Sequence, residues 1–198
     1  MISRPVKIGI AGTHSTGKSS FLEALVPGLQ QLGLKPANIG GFADRARALG
    51  FPILTEHTFD STLWIMAECL RQEAEASLRC NVILVDRPVA DALGYLLAAL
   101  EVSGRQEDPR RIEELKTIAR AHTGDYDVLI VTSLNPNIPL GDGRDSDPKL
   151  RVAAAKHIDA LISEFAADAW HLTSSNANEL VARARAFLSS RIAAESIS

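Results

Sequence analysis

The stretch Gly12-Thr13-His14-Ser15-Thr16-Gly17-Lys18-Ser19 lies near the start of a 198-residue chain and decides how the rest is read. It fits G-x-x-x-x-G-K-[ST] at every fixed position, a spacing that also arises by chance in loops. The flanks separate the two readings. Upstream, Val6–Ala11 is a short run rich in β-branched residues, the composition of a buried strand. Downstream, Phe21, Leu22, Leu25 and Leu29 recur at helical spacing from Lys18 to Leu32, and Gly33 closes the segment. A glycine loop between a strand and a helix turns its backbone N–H groups inward onto an anion, and the helix adds the positive end of its dipole. In that setting Lys18 reaches the β- and γ-phosphates of a nucleotide. The Ser19 hydroxyl suits Mg²⁺, a hard cation that takes oxygen ligands. Gly12, Thr13, His14, Ser15, Thr16, Gly17, Lys18, Ser19 and Ser20 are therefore the candidate phosphate-binding residues, with His14 in a variable position of the loop.

A phosphate site of this kind needs a carboxylate near the metal. Asn81–Val85 (NVILV) is a continuous apolar run, as in a strand buried on both faces, and it ends in Asp86-Arg87-Pro88. Asp86 should emerge at the carboxyl edge of the sheet, where ligands bind in open α/β folds. It is a candidate for holding the metal or orienting a nucleophile, a role compatible with capping the helix after Pro88. Arg87 beside it is a candidate phosphate contact.

Asp127–Thr132 (DVLIVT) and Ala169–Thr173 (AWHLT) read as further strands, and Ala37–Phe42 as a short one. Apolar stripes predict helices around Thr58–Arg79, Val89–Leu100, Arg110–Ala121, Leu150–Phe165 and Leu180–Leu188, with Val102–Pro109 as a polar connection. Strands alternating with helices predict one α/β domain over residues 1–198, with a parallel sheet covered on both faces. Leu134–Pro148, rich in Pro, Gly, Asn and Asp, predicts an irregular loop of a length that in compact domains is usually functional or mobile.

Composition narrows the function classes. Hydrophobic residues make up 46% and charged residues 23%, a globular balance. A net charge of −3 does not favour nucleic acid as a partner. Cys69 and Cys80 sit in or beside apolar runs without a CxxC or Cys/His cluster, which reads as two free thiols in a reducing compartment. The apolar stretch at the N-terminus is too short for a signal peptide. No window reaches the ~18 apolar residues of a membrane span. A cytoplasmic protein is the expectation, with no membrane partner. Nothing in the sequence fixes the oligomeric state, and a homodimer is compatible with it.

Taken in order, several motifs resemble the small AAA-type P-loop ATPase/kinase family. They are GTHSTGKS, Gly50-Phe51-Pro52 followed by Thr58-Phe59-Asp60, the strand ending in Asp86-Arg87, and a late Asp142-Gly143-Arg144. That family includes the ribosylnicotinamide kinase domain of bacterial NAD-synthesis regulators, and it is similar to nucleoside and nucleotide kinases. The resemblance runs from Val6 to about Phe165. It implies a three-layer P-loop NTPase fold, a five-stranded parallel sheet with helices on both faces and the strand ending in Asp86 next to the P-loop strand. It implies ATP and Mg²⁺ as cofactors, with Ser19 and Asp86 at the metal. It also implies transfer of the γ-phosphoryl group to a small hydroxyl-bearing acceptor of nucleoside or nucleotide type. A lid loop, about residues 134–148, would bring Arg144 onto the transferring phosphoryl, with Arg151 as a second candidate. Lys18, Asp86, Arg87 and Arg144 are thus the catalytic candidates.

The acceptor side departs from the family. Relatives carry a glutamate and an arginine as E-x-A-R, whereas this chain reads Gly41-Phe42-Ala43-Asp44-Arg45. The resemblance then leaves Asp44 as the replacement carboxylate and Arg45 as the arginine. Asp60, Glu56 and His57, before or at the start of the long helix, are further acceptor candidates, although Thr58 or Asp60 equally suits a helix cap. Asp125 and Asp127 read as turn residues, and His157 and His171 as structural ones. Two other readings compete with a kinase. A hydrolysing switch that uses GTP would show an N-K-x-D-like motif, but DVLIVT leads into Ser133-Leu134-Asn135-Pro136. An ATPase regulator without an acceptor stays open. A module that binds without turnover is opposed by the intact Lys18 and Ser19.

Overall fold

The computed structural model describes residues 4–134 and 147–195. Within them, five strands form: β1 (Val6–Ala11), β2 (Pro36–Ile39), β3 (Val82–Asp86), β4 (Val128–Thr132) and β5 (Trp170–Leu172). They pair in parallel in the order β2–β3–β1–β4–β5, so the strand ending in Asp86 lies beside the one that enters the glycine loop. Ile10 stands opposite Asp86, and Ala11 opposite Val131. This register delivers Gly12, Arg87 and Thr132 to one edge of the sheet.

The helices are α1 (Lys18–Gln31), α2 (Phe42–Ala48), α3 (Phe59–Ser77), α4 (Val89–Ser103), α5 (Pro109–Thr123), α6 (Pro148–Phe165) and α7 (Ala177–Glu195), with a short helical turn at Leu54–Glu56. Alternation along the strands sorts them into two layers. Ile8, Ile10, Leu84 and Ile130 pack with Phe21, Leu25 and Leu29 of α1 and Leu188 of α7. Ile83 and Val85 face the other way, onto Met66 of α3, Leu93 and Leu96 of α4, and Leu115 of α5. Leu129 and Val131 meet Ile158 and Ile162 of α6 on that same side. Each fully buried leucine or isoleucine in these layers contributes roughly 1.5–3 kcal/mol. None of the described helices is long and apolar enough to cross a membrane.

The five-stranded parallel α/β fold agrees with the sequence reading, with differences around the second strand. β2 stops at Ile39, and Phe42 starts α2 rather than ending a strand. Gly41 makes this possible, because it precedes α2 with φ of 70° in the left-handed region that glycine tolerates. Phe42 and Ala46, one helical turn apart, are then both buried. Further on, α4 extends to Ser103, and Asp108 caps α5 with Pro109 in its first turn. The polar connection is correspondingly shorter than the sequence suggested.

Candidate functional site

The glycine loop is shaped by its neighbours. A side chain at Gly12 would place a Cβ 1.9 Å from Thr132 Oγ1, and its φ of 133° disfavours any residue but glycine. Thr132 Oγ1 lies 2.7 Å from Thr16 Oγ1 and 3.1 Å from the Ala11 carbonyl, so the end of β4 braces the loop. Thr16 Oγ1 donates to the Thr13 carbonyl over 2.8 Å. Lys18, almost fully buried, donates from Nζ to the Thr13 carbonyl and to Thr16 Oγ1. Arg151 of α6 donates from Nη2 to the Ser15 carbonyl at 3.2 Å, which brings this second lid candidate onto the loop. Ser19 and Ser20 open the exposed side of α1.

Across the edge stand Asp86 and Arg87. The N-cap of α4 is Pro88, so Asp86 does not cap that helix. Its Oδ1 is buried with no hydrogen-bond partner among the described residues. Arg87 adopts φ of 71°, a left-handed backbone that costs a non-glycine residue on the order of 1 kcal/mol. The conformation is held by its N–H on the Ile10 carbonyl at 3.1 Å and by Nη1, which donates to the Gly12 carbonyl at 3.1 Å and to Tyr95 Oη at 3.0 Å. Tyr95 Oη also lies 3.1 Å from His14 Nδ1, tying Arg87 to the loop.

Beneath this pair is Asp91. Its Oδ2 accepts the Gly12 N–H at 3.0 Å and lies 4.0 Å from Arg87 Nη1, while Oδ1 has no partner among the described residues. Burial pushes the Asp91 carboxyl up to about 7, against the pull of Arg87, Lys18 and the Gly12 N–H.

A cleft of about 300 Å³ joins this group to a second one. Lys18, Ser19, Asp86 and Arg87 line it together with Asp44 and Arg47 of α2 and His57, just after the helical turn. His57 is 3% exposed, and neither ring nitrogen has a hydrogen-bond partner among the described residues. Burial, and secondarily Arg105, lowers its pKa to about 4, so the ring is neutral near pH 7. Arg105 Nη2 donates to the Thr55 and His57 carbonyls at 2.7 and 2.9 Å and fixes the turn.

Of the sequence candidates for the acceptor, the structure brings Asp44 and His57 to the cleft but not Arg45, Asp60 or Glu56. Arg45 points to Glu68 of α3, with Nη1 2.8 Å from Oε1, and the arginine facing the cleft is Arg47. Asp60 is exposed and pairs with Arg111 at 3.1 Å. The α3 cap is Thr58, in a reciprocal capping box with Ser61. Asp127 accepts the Lys7 N–H and pairs with Arg4, and Asp125 lies near His122; neither is in the cleft. His157 meets Glu101 at 2.8 Å on the surface, and His171 is exposed on β5. Arg144 and most of the expected lid lie outside the described residues.

Asp91, Tyr95, Arg47 and Thr132 were missed from sequence. Three of them carry a legible signal: Asp91 is the one charged residue in the apolar run Val89–Leu100, and Tyr95 follows it at i+4 on the same face. Thr132 ends a buried strand with a polar residue, as Asp86 does. Arg47 had no distinguishing local pattern.

For Mg²⁺ the donor set fits. Ser19 and Asp86 supply hard oxygen atoms in one cleft, and Asp86 Oδ1 lacks a protein partner there among the described residues. No cluster of three or more His, Cys, Asp or Glu forms among the described residues. That is compatible with Mg²⁺, which commonly takes one or two protein oxygens and completes its shell with phosphate and water.

No protein-family model and no curated protein matches the sequence. Solved structures do. Deoxyadenosine kinase from M. mycoides with bound dATP matches with a TM-score of 0.58 at 13% identity, over 90% of this chain and 98% of that one. The same enzyme with bound dCTP gives 0.60 at 13%, over 90% and 97%. The NadR protein in complex with NAD and AMP-PNP gives 0.60 at 12% identity, over 85% of this chain and 44% of that one. At these identities the likeness shows the fold alone.

Proposed function

We propose that the protein is an ATP-dependent kinase that transfers the γ-phosphoryl group to the hydroxyl of a small nucleoside- or nucleotide-like acceptor. The observation that carries this reading is the shared cleft: the phosphate-loop residues Lys18 and Ser19, the Asp86-Arg87 pair and a second group from α2 and the helical turn line one cavity of about 300 Å³. A hydrolysing switch needs room for water only. The neighbours' bound dATP, dCTP and AMP-PNP support a nucleotide in the same fold.

In this reading the loop N–H groups and Lys18 Nζ bind the β- and γ-phosphates, Lys18 leaving the Thr13 carbonyl and Thr16 Oγ1 to do so. Ser19 and Asp86 would hold Mg²⁺, which when bound supplies charge neutralisation at the phosphates. Arg87, kept in place by Gly12, Tyr95 and Asp91, meets the charge that develops on the transferred group. Asp86 orients the acceptor hydroxyl through the carboxylate oxygen left off the metal, and that oxygen takes the proton as the new O–P bond forms and the bond to the β-phosphate oxygen breaks, its electron pair staying on ADP. Asp91 is a positioning residue that acts through Gly12 and Arg87.

An Mg-dependent ATPase regulator without an acceptor is the second reading. The glycine at 41, where the related kinases carry glutamate, favours it. The two part in one assay: ADP release is followed with MgATP alone and with a panel of nucleosides, nucleotides and ribosylnicotinamide. Stimulation by an acceptor, with a phosphorylated product, supports the kinase. Equal ADP release with and without every acceptor supports the regulator.

A further inference from the structure

His57 is a buried polar side chain that the phosphoryl-transfer machinery does not use. It lines the cleft at 3% exposure, and both ring nitrogens are without partners among the described residues. Leaving such a group unsatisfied in a folded interior costs about 1–3 kcal/mol, so each instance calls for a reason. Its position is enforced. Leu54, three residues earlier, sits at φ of 61°, and Arg105 reaches across from beyond α4 to clamp the Thr55 and His57 carbonyls. A chain that holds an unpaired imidazole this firmly in a cavity is prepared for a ligand group to complete it.

We propose that His57 reads the non-reacting part of the acceptor, and that this part is an uncharged, hydrogen-bonding group carried on a flat ring. The inference rests on the kinase reading and deepens it. Four observations set the chemistry. A neutral imidazole presents one N–H donor and one lone pair, so its partner is a hydroxyl, a ring nitrogen, a carbonyl or an amide. The ring stays neutral near pH 7, so it neither attracts an anion nor relays a proton there. Of the charged groups around the ring, Arg105 is engaged on the two carbonyls, Asp44 and Arg47 of α2 are largely exposed, and Lys18, Asp86, Arg87 and Asp91 are those assigned above to the phosphoryl group and its support. The remaining wall is apolar, with Phe42, Ile53, Leu54, Ile65 and Ala92, a surface suited to the face of a planar ring. Selectivity follows from the buried nitrogens, because an acceptor unable to pair with them leaves them unsatisfied.

The test uses the full chain with its histidine ring nitrogens isotopically labelled for NMR, and the His57 signals assigned by their loss in His57→Gln. Adenosine, guanosine, cytidine and uridine are the uncharged probes. Orotidine, which adds a carboxylate to the uridine ring, is the charged one. At least one uncharged nucleoside is expected to shift the His57 ring nitrogens, with orotidine binding at least tenfold more weakly than that nucleoside. His57→Phe should weaken the responding nucleoside at least tenfold, while His57→Gln, which keeps a donor and an acceptor, recovers most of the loss. The proposal is overturned if all four nucleosides leave His57 unmoved, if His57→Phe keeps the affinity of the responding nucleoside within twofold, or if orotidine shifts His57 as strongly as the responding nucleoside. MgATP titrations of wild type and Lys18→Ala read the phosphate site separately. Failure of wild type to bind MgATP would sink the kinase reading itself, whereas tight MgATP binding with a silent His57 sinks only this inference.

Discussion

Two clusters of buried polar groups sit toward opposite ends of the sheet, and they are finished differently. Toward the amino ends of the strands, Glu73 of α3 receives Lys7 Nζ at 2.9 Å, the Tyr126 hydroxyl and, at 3.4 Å, the Cys69 thiol. Its carboxylate is almost fully enclosed by these partners. Toward the carboxyl ends, Asp86 Oδ1, Asp91 Oδ1, Thr13 Oγ1 and both nitrogens of His57 are buried without partners among the described residues. Burial of a polar group costs free energy wherever it happens. A completed cluster returns that cost to the fold, and an incomplete one awaits a ligand. On the kinase reading, the difference marks which of these groups serve the fold and which are kept for a ligand.

The sharpest break between the two regions is expected from Lys18→Ala. It should lower ATP turnover on the order of 10²–10³-fold, as loss of a donor to developing charge does, while the thermal midpoint of the ligand-free protein moves little. Steady-state ADP release and a thermal melt read both quantities. Turnover near the wild-type rate would remove Lys18 from the phosphate site.

Glu73→Ala should do the reverse. Removing the acceptor shared by Lys7, Tyr126 and Cys69 leaves three groups short of a partner, and should cost about 3 kcal/mol of stability by urea denaturation. Turnover per folded molecule should stay at the wild-type level. A loss under about 1 kcal/mol would mean that the paired cluster is not structural in the sense argued.

The pH dependence of stability sharpens the comparison within the site. Asp91 keeps its proton up to about 7 in the folded chain and releases it near 3.8 when unfolded. The folded state binds the extra proton in that window, so this contribution favours folding at the acid end and is lost as pH rises toward 7. His57 has the opposite sign: its folded value is about 4 against 6.5 unfolded, so its contribution is present above 6.5 and lost as pH falls toward 4. Each is on the order of 3 kcal/mol, and they offset one another between pH 4 and 6.5. The two substitutions should therefore tilt the wild-type profile in opposite directions. Asp91→Asn should become more stable with rising pH, and His57→Gln less stable. Parallel melting profiles for all three proteins would contradict these assignments.

The smallest effects should come from Arg45→Ala and Asp60→Asn. Both residues are engaged outside the cleft, in ion pairs with Glu68 and Arg111 whose Arg45 and Asp60 partners are largely exposed. Each substitution should change stability by about 1 kcal/mol or less and leave the KM for ATP and acceptor within twofold. A large rise in acceptor KM for either would restore it to the acceptor site.

What the sequence made readable is what neighbouring residues determine together. The strand, loop and helix around Gly12–Ser19 are contiguous, and Asp86-Arg87 ends an apolar run that reads as a buried strand. Their placement at one edge follows from parallel pairing. Asp91 supports Gly12 from 79 residues away, and that contact exists only once α4 has packed beside β1. The choice between Arg45 and Arg47 depends on the rotation of α2, a helix so short that Phe42 and Ala46 are its only buried residues. The double glycine before it resembles a strand end in sequence, whereas Gly41 acts as a helix start through its positive φ. His57 was visible as a candidate, but its lack of partners is a property of the packed turn and of Arg105, far along the chain.

The most direct measurement follows the phosphoryl group itself. The protein is incubated with MgATP labelled in its γ-phosphoryl group and with uncharged nucleosides, and the small-molecule fraction is resolved by mass spectrometry. The account predicts label in a nucleoside monophosphate, formed in step with ADP and absent with Lys18→Ala. Label found solely in inorganic phosphate, at a rate indifferent to every acceptor, would contradict it.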